Sequence, residues 1–332
     1  MRIAIAGAGA VGSVIAGYLI AGGRHEVSLL ARGDHLEAIR KDGLRVESNG
    51  KTLIGRPKAA SDSAADLGPQ DAIVVAVKGY SVASLAPALK PMIAPGTLII
   101  TAQNGIPWWY FYGLKAQGID APESDTPFEA VDPGGVAWRT LGPENAIGCI
   151  VTIPAERTAP GVVHHAGVLR LTLGAPKAGD HASALAAFAA ALSEAGIEAP
   201  VTDDIRLATW AKLQTQVATA PISVLTGGVN GQIGSAPGLA GLKALAAAES
   251  MTVAKAWNVT LKPEPVKQNP GTTNHKSSML QDFEAGRPIE LDAIVGAVIA
   301  LARLRDVPVP IIEGLWGLAK LRAETRKGKI DT

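Results

Sequence analysis

The sequence predicts an α/β domain built on a parallel sheet, followed by an all-α domain. Two features of the chain support this fold class. In the first half, short continuous apolar runs alternate with segments long enough for helices that connect parallel strands, and such runs are typical of strands buried on both faces. After the stretch GAPKAGD, helical periodicity rich in alanine replaces the strand-like runs almost to the end of the chain.

The length and composition agree with two globular domains. A chain of 332 residues exceeds what one hydrophobic core usually serves, and its 47% hydrophobic and 18% charged residues are typical of a soluble globular protein. We place the domain boundary after residue 176, so that residues 1–176 form the α/β domain and residues 177–332 the helical domain. The formal net charge of +1, without a dense Lys/Arg run, predicts no nucleic-acid partner.

The elements of the first domain follow from the apolar runs, taken in order. Four strands of the parallel sheet are predicted at 3–6, 27–30, 72–77 and 98–101, and three later strands at 146–153, 161–165 and 169–173. Residues 118–148, rich in Pro, Gly and acidic side chains, are predicted to be irregular, and Pro160-Gly161 is predicted to form a turn. The first helix of the second domain is predicted at 184–195.

A glycine motif joins the first strand to the first helix. Its residues are Gly7, Ala8, Gly9, Ala10, Val11 and Gly12, in the pattern GxGxxG. Gly7 permits a tight turn, Gly9 lets the backbone approach a pyrophosphate, and Gly12 lets the helix pack against the strand. Unpaired N–H groups at the positive end of the helix then meet the phosphates. In this strand context the motif predicts a Rossmann-type dinucleotide-binding domain.

The uncharged segment 3–23 follows Arg2 and also resembles a signal peptide or a membrane span. Glycine at this density would weaken a spanning helix, so a strand, a turn and a buried helix explain the segment better, and no membrane partner is expected.

The single cysteine, Cys149, lies in the apolar run AIGCIV, where a small buried side chain is a better interpretation than a nucleophile. One cysteine excludes an intramolecular disulfide and fits a reducing compartment, so we expect a cytoplasmic protein.

The residue that ends the second strand predicts which nucleotide binds. A site for NAD usually carries Asp or Glu there, to bond the ribose 2′-OH. This chain has LLARGDH, which offers Arg32, and a guanidinium suits the 2′-phosphate of NADP through bidentate, charge-assisted hydrogen bonds. NADPH is therefore the predicted cofactor. Asp34 keeps NAD open, and Arg32 could also be a solvated loop residue.

Lys78 and Asn104 stand where the third and fourth predicted strands end, in VVAVKGY and IITAQNG. Ligands of an open parallel sheet bind at the carboxyl ends of its strands. A lysine after four apolar residues could merely cap a strand. Two such residues beside a dinucleotide turn predict that both contact ligands.

From the glycine motif, Arg32, Lys78 and QNG onward, the chain resembles the ketopantoate reductase (2-dehydropantoate 2-reductase) family. The segment KSSMLQDFEAGRPIELD, residues 276–292, resembles that family's C-terminal signature, DIRLATWAKL resembles the helix with its lysine, and DVPVP resembles its closing loop. The match runs in consistent order through nearly the whole chain. The resemblance implies an NADP-binding Rossmann domain, a helical C-terminal domain and an active site in the cleft between them.

The resemblance also implies a reaction and its residues. NADPH would deliver a hydride to the 2-keto carbon of a small keto acid, in this family 2-dehydropantoate, which becomes pantoate in pantothenate biosynthesis. Lys212 would be the general acid and would polarise the carbonyl, while Glu290 would bond the substrate hydroxyls and orient the site. Ser278 would help to hold the substrate carboxylate. Lys78 and Asn104 would lie near the nicotinamide and the substrate.

Lys212 also has a chemical reason to lie in the otherwise apolar stretch ATWAKLQTQVATAP. Hydride arriving at a carbonyl carbon leaves negative charge on the oxygen, which a positioned ammonium group stabilises and protonates. Gln216 and Ala220 share the helix face of Lys212, and Pro221 is predicted to end the helix. The alternative is a surface lysine that covers apolar neighbours with its stem.

Two positions depart from the family pattern and leave the substrate open. The family usually has asparagine four and eight residues after the lysine, whereas this chain has Gln216 and Ala220. Gln216 moves the amide outward and Ala220 removes a hydrogen-bonding group, so a bulkier or less hydroxylated 2-oxo acid is an alternative substrate. A sensor that binds NADPH without turnover is a further alternative, against which the retained Lys212, Ser278 and Glu290 argue.

The aromatic run WWYFY, residues 108–112, follows Asn104. It could form a substrate pocket or lid, an oligomer contact, or the start of a helix that packs on the sheet. The chain is expected to be a monomer or a homodimer. His164, His165 and His275 have no metal-ligand spacing and hydride transfer needs no metal, so none is predicted.

Overall fold

The computed structural model describes residues 1–119, 121–262 and 276–327 of the chain. Its strands are β1 (Arg2–Ala6), β2 (Glu26–Leu30), β3 (Leu44–Ser48), β4 (Lys51–Gly55), β5 (Ala59–Ser61), β6 (Ala72–Val75), β7 (Leu98–Thr101), β8 (Ala146–Thr152), β9 (Ala155–Ala159), β10 (Val162–His165) and β11 (Arg170–Gly174). Its α-helices are α1 (Ala10–Gly22), α2 (Gly33–Asp42), α3 (Val82–Leu89), α4 (Val136–Leu141), α5 (Ala182–Glu194), α6 (Ile205–Thr226), α7 (Asn230–Ser235), α8 (Leu239–Ala256), α9 (Ser278–Glu284), α10 (Ala297–Arg303) and α11 (Pro310–Lys327).

The chain divides into two compact units, Met1–Ile205 and Arg206–Thr332. The predicted boundary at residue 176 lies earlier, because helix α5 and the segment after it pack with the first unit. Phe188 of α5 is fully buried in the same core as the sheet. The chain after α5 also bonds to β11, where the Leu171 N–H donates to the Glu198 carbonyl at 2.8 Å. Backbone pairing therefore extends the α/β unit to the start of α6.

The first unit is built on a seven-stranded sheet in the order β11-β8-β7-β6-β1-β2-β5. All neighbouring strands in it pair in parallel except β11, which runs antiparallel to β8. The central strands β1, β6 and β7 are buried along nearly their whole length, as their continuous apolar sequences predict. The predicted fold class, a mixed α/β unit with a parallel sheet followed by a helical unit, is confirmed.

A second sheet, in the order β4-β3-β10-β9, was not foreseen from the sequence. The predicted strand 161–165 exists as β10, but it joins this smaller sheet rather than the large one. Strands β3, β4 and β9 read LRVES, KTLIG and AERTA, which are short and largely polar. Such sequences carry weak strand signals, because β4 and β9 contain no buried residue and only β3 alternates buried with more exposed positions.

Helix α1 contacts strands of both sheets, and two glycines allow its close approach. A Cβ on Gly17 of α1 would lie 2.2 Å from Cγ2 of Val46 in β3. A Cβ on Gly55 of β4 would lie 2.4 Å from Cγ2 of Ile20 in α1. Helix and second sheet therefore meet with little room for larger side chains along the second half of α1.

A buried chain of polar groups links the second sheet to α1. The Tyr18 hydroxyl lies 2.6 Å from Oγ of Ser48, which lies 2.7 Å from Nδ1 of His165. Nε2 of His165 lies 3.1 Å from the Val168 carbonyl oxygen, which can only accept, so Nε2 donates to it. His165 is thus occupied in the fold, while His164 points to the exposed face of β10.

The second unit is helical, and its longest described helix is α6, which carries Lys212. The prediction that Pro221 ends this helix is wrong, because α6 continues to Thr226. Proline removes one backbone hydrogen bond from a helix, but the side chains on both sides of it are buried, including Val217, Ile222 and Val224. Burial of these side chains outweighs the lost bond. No helix among the described residues is long and apolar enough to cross a membrane.

Candidate functional site

The glycine motif forms the turn between β1 and α1, and its three glycines meet different surroundings. Gly7 has φ +104°, and a Cβ there would lie 2.6 Å from Cγ1 of Val77. A Cβ on Gly12 would lie 2.2 Å from the Gly7 carbonyl oxygen. Nothing lies within 4 Å of the position that a Cβ on Gly9 would take. The fold thus requires Gly7 and Gly12, whereas the open side of Gly9 leaves room for a ligand to approach the backbone.

The amino end of α1 has the properties of an anion site. Gly9 is its N-cap, no side chain caps the helix, and its first turn carries no acidic residue. The positive end of the helix dipole therefore lies beside the open face of the turn. Backbone bonds from the N–H groups of Gly7 and Ala8 to the Leu30 carbonyl, at 3.1 and 3.4 Å, hold this turn against the end of β2.

Arg32 is the N-cap residue of α2, two residues beyond β2, and is exposed. Because β2 pairs in parallel with β1, the glycine turn and Arg32 follow neighbouring strand ends. Asp34, the competing candidate for the ribose, is exposed, and its Oδ1 lies 3.6 Å from Nη1 of Arg157. The carboxylate thus already has a cationic neighbour.

Lys78 and Asn104 lie at the same sheet edge as the glycine turn. Their strands β6 and β7 are neighbours, and the pairing of Ala6 with Val75 and of Val75 with Thr101 aligns the three strand ends. Both residues are half-buried. The Gln103 side-chain amide donates to the Val75 carbonyl and ties the chain before Asn104 to the end of β6. The structure therefore brings the motif, Lys78 and Asn104 together along one edge.

The aromatic run that follows Asn104 packs within the first unit. Trp109 is almost fully buried, and its Nε1–H donates to Oγ1 of Thr101 at 2.9 Å. A Cβ on Gly148 of β8 would lie 2.7 Å from the Trp109 ring, so the indole fills the space that this glycine leaves. The Tyr112 hydroxyl donates to Asp180 at 3.0 Å, and burial raises the pKa of Tyr112 to about 12. The aromatic run therefore packs on the sheet, and its backbone forms turns, not the start of a helix.

Lys212 and its two neighbours on the helix face differ in burial. Lys212 and Gln216 are half-buried, while Ala220 is 6% exposed. Oε1 of Gln216 is buried and has no hydrogen-bond partner among the described residues. A buried amide oxygen without a partner is costly, so it is a candidate acceptor for a ligand.

Glu290 and Ser278 occupy the segment that resembles the family signature. Glu290 is buried, 5% exposed, just before a π-helical turn at Asp292–Gly296. Ser278 is the exposed first residue of α9. Its neighbour Ser277, for which the sequence predicted no role, is the N-cap of α9 and lies 2.5 Å, hydroxyl to hydroxyl, from Ser223 of α6. The signature segment is thus joined to the lysine helix through Ser277.

Two further polar residues lie beside the glycine turn and were not predicted from the sequence. Ser13 of α1 and His35 of α2 are both buried, and they lie 3.1 Å apart, Oγ to Nε2. The only signal was Ser13, a polar side chain in an otherwise apolar helix; His35 stands in the polar helix start GDHLE and had none. Within the described ranges, no group of three or more His, Cys, Asp or Glu side chains has metal-site geometry.

Comparison with known proteins gives the family. The model of the ketopantoate reductase PanE/ApbA family matches residues 3–108, and the model of that family's C-terminal region matches residues 204–323. The chain is 38% identical to the 2-dehydropantoate 2-reductase of Mesorhizobium japonicum, over 98% of this chain and 99% of that protein. The chain belongs to the ketopantoate reductase family. It is an oxidoreductase, as the relatives' names state.

Solved structures agree with this placement. A protein of Ralstonia solanacearum MolK2 that bears the name ketopantoate reductase superposes with a TM-score of 0.88 at 33% identity, covering 98% of both chains. A D-mandelate dehydrogenase, solved with NADH and anilino(oxo)acetate, superposes with a TM-score of 0.83 at 23% identity, covering 98% of this chain and 99% of the other. The second likeness concerns the fold alone.

Proposed function

We propose that this member of the ketopantoate reductase family reduces a 2-keto acid to the 2-hydroxy acid with NADPH. 2-Dehydropantoate is the first candidate substrate, after the names of its relatives. The observation that carries the proposal is the open glycine turn at the amino end of α1, in a chain that also retains Lys212 within a largely buried helix. The turn would bind the pyrophosphate of a dinucleotide, and the lysine would supply the proton that the carbonyl oxygen receives.

NADP is proposed over NAD because of the groups at the end of β2. Arg32 is exposed beside the turn and can bond a 2′-phosphate, whereas Asp34 lies within ion-pair distance of Arg157. The structural relative solved with NADH shows that NADH is compatible with this fold in another protein. NADH is therefore the comparison that the cofactor assay needs.

Each proposed site residue has its own role in the reaction. When bound, the reduced nicotinamide supplies a hydride to the 2-keto carbon. Lys212 donates a proton to the carbonyl oxygen, which stabilises the negative charge that develops there. Glu290 bonds the substrate hydroxyls and orients the site, Ser278 bonds the carboxylate, and Asn104 holds the substrate beside the nicotinamide. Water then returns the proton to the lysine.

A second candidate substrate is a bulkier or less hydroxylated 2-oxo acid. Ala220 offers no hydrogen bond to a substrate hydroxyl, while Gln216 offers a buried amide with a free oxygen. A site that lacks a polar partner cannot discriminate for the corresponding hydroxyl. Anilino(oxo)acetate, bound by the dehydrogenase of similar fold, is an aromatic 2-oxo acid derivative and indicates which compounds to test.

The test is a steady-state assay of a keto-acid panel with NADPH and NADH side by side. The panel should contain 2-dehydropantoate, small aliphatic 2-keto acids and an aromatic 2-oxo acid. We expect at least one 2-keto acid to be reduced, with a higher kcat/KM when NADPH is the cofactor than when NADH is. If 2-dehydropantoate exceeds every analogue, the second candidate is eliminated, and if no compound is reduced, the proposed reaction is wrong.

The lysine is tested separately from the substrate. Lys212→Ala should lower kcat by roughly 10²-fold to 10⁴-fold, the usual contribution of a general acid. Lys255→Ala removes an exposed lysine from α8 and serves as the matched control. Equal activity of the two variants would remove Lys212 from the mechanism. If wild type itself binds NADPH and turns nothing over, the sensor hypothesis replaces the enzyme.

The cofactor preference is tested at Arg32. Arg32→Ala should raise KM for NADPH by roughly tenfold to a hundredfold through loss of charge-assisted hydrogen bonds, and should leave KM for NADH nearly unchanged. Lys41→Ala removes an exposed cation from the other end of α2 and is the control. A wild-type enzyme that prefers NADH would overturn the NADP assignment.

A further inference from the structure

Three hydrogen bonds run in series through the interior of the first unit to the glycine turn. The Gly161 N–H donates to Nδ1 of His35 at 2.9 Å, Nε2 of His35 lies 3.1 Å from Oγ of Ser13, and the Ser13 hydroxyl donates to the Ala8 carbonyl at 3.1 Å. His35 is 3% exposed and Ser13 is fully buried. The series therefore operates away from solvent, where a missing partner is costly.

The direction of each bond follows from the first one. A backbone N–H can only donate, so Nδ1 of His35 carries a lone pair and the imidazole is neutral. The proton of the neutral ring is then on Nε2, which donates to Ser13, and the serine hydroxyl is left to donate to the Ala8 carbonyl. Burial and the nearby Arg157 lower the pKa of His35, against a smaller opposite effect of Asp34, which agrees with the neutral form.

The series joins parts of the unit that are distant in the chain. Gly161 lies in the turn between β9 and β10, and a Cβ on it would lie 3.0 Å from Cβ of Ala38 in α2. His35 stands in the first turn of α2, three residues after Arg32, and Ser13 stands in the first turn of α1. The two helix starts that follow β1 and β2 are thus connected by side chains, beyond the backbone bonds of Gly7 and Ala8 to Leu30.

We propose that His35 is a positioning residue for the cofactor: through Ser13 it fixes the glycine turn relative to Arg32. This inference rests on the proposed function, in which the pyrophosphate meets the turn and the 2′-phosphate meets Arg32. Both ends of the adenine nucleotide are then held at a spacing that the His35–Ser13 bond sets. His35 contacts neither phosphate, and its effect passes through Ser13 and the Ala8 carbonyl.

Two conservative variants of His35 separate the bonds of the series. The amide of asparagine reaches as far as Nδ1 of histidine, so His35→Asn keeps an acceptor for Gly161 and loses the bond to Ser13. The amide of glutamine reaches as far as Nε2, so His35→Gln keeps a donor for Ser13 and loses the acceptor for Gly161. Ser13→Ala breaks the series from the other side with the loss of one oxygen atom.

The experiment measures the Kd of NADPH by quenching of tryptophan fluorescence, with kcat at saturating NADPH and the free energy of unfolding in urea for each variant. We expect Ser13→Ala and His35→Asn each to raise Kd roughly fivefold to tenfold, the effect of one buried hydrogen bond. The double variant should be no worse than either single variant, because both remove the same connection. His35→Gln should bind within about twofold of wild type, and kcat at saturation should change little in all four.

The outcomes distinguish this inference from the function on which it rests. Failure of wild type to bind NADPH would overturn both. Normal binding by wild type together with an unchanged Kd in Ser13→Ala would overturn the inference alone. It would also be overturned if His35→Gln bound as weakly as His35→Asn, since a retained donor to Ser13 would then fail to preserve binding. A loss of unfolding free energy without a change in Kd would reduce His35 to a structural residue.

Discussion

At the scale of single residues, the glycine turn shows how neighbours decide what a position tolerates. Gly7, Gly9 and Gly12 are equivalent in the sequence motif, yet two are confined by the surrounding backbone and one faces open space. Gly9 also has φ −74° and ψ −166°, which other L residues adopt without strain. Its glycine is thus unnecessary for the fold, and we ascribe it to the ligand.

This difference yields a paired prediction. Gly12→Ala should lower the free energy of unfolding by about 2 kcal/mol or more, because its Cβ would lie 2.2 Å from the Gly7 carbonyl oxygen. Gly9→Ala should change it by less than about 0.5 kcal/mol while raising the Kd of NADPH at least roughly tenfold. Urea unfolding and nucleotide titration measure the two effects. A Gly9→Ala variant that binds NADPH normally would contradict the placement of the pyrophosphate.

A second prediction at this scale concerns pH. Because burial and Arg157 lower the pKa of His35 in the folded protein, the unfolded chain binds the proton more readily. The stability that depends on neutral His35 is complete above the ordinary histidine pKa of 6.5 and is lost as the pH falls from there through the folded pKa. Wild type should therefore lose more unfolding free energy between pH 7.5 and 5.5 than His35→Asn. If the unfolding free energies of the two proteins changed in parallel with pH, His35 would not titrate between pH 7.5 and 5.5.

At the scale of elements, helix ends depend on side chains that the local sequence does not supply. The first turn of α11 has its N–H groups capped from another helix, since Glu249 of α8 accepts from Ile311 at 3.0 Å and from Ile312 at 2.9 Å. Helix α6 continues past Pro221 because tertiary burial of its neighbours outweighs local propensity. In both cases, contacts with distant parts of the chain decide where the helix begins or ends. Helical segments could therefore be predicted from the sequence, but their ends could not.

The cap supplied by Glu249 can be tested directly. Glu249→Ala should lower the free energy of unfolding by about 1–3 kcal/mol, because it leaves two helix N–H groups without their acceptor. Glu249→Gln retains one acceptor oxygen and should lose less. Glu313→Ala, which removes an exposed carboxylate from the same turn and its pair with Arg303, should cost less than about 1 kcal/mol. Equal losses for Glu249→Ala and Glu313→Ala would show that the cap does not stabilise α11.

At the scale of the whole molecule, the proposed cofactor residues and the proposed proton donor belong to different compact units. The glycine turn, Arg32, Lys78 and Asn104 all lie in Met1–Ile205, whereas Lys212 lies in Arg206–Thr332. Nucleotide binding and proton transfer should therefore be separable by mutation. The order of the motifs in the sequence already predicted this separation, because the proposed cofactor residues precede the domain boundary and Lys212 follows it.

Thermal or urea unfolding with and without NADPH tests this separation. At about a hundred times its Kd, NADPH should stabilise wild type by about 2.7 kcal/mol. Lys212→Ala should gain the same amount although its turnover is impaired, and Arg32→Ala should gain less at the same concentration. If Lys212→Ala lost the stabilisation, the lysine would be part of the nucleotide site rather than the proton donor that we propose.

The sequence by itself determined the parallel sheet, the glycine turn with its strand and helix, and the helical second half. These follow from local spacing, since a continuous apolar run or a GxGxxG pattern specifies its conformation within a few residues. Only the tertiary structure decided the second sheet of β3, β4, β9 and β10, the boundary at Ile205, and the bond series of His35. These depend on contacts between distant residues, such as the 126 positions that separate His35 from Gly161. Polar strands and single buried side chains carry no periodic signal, so their roles appear only when packing brings them together.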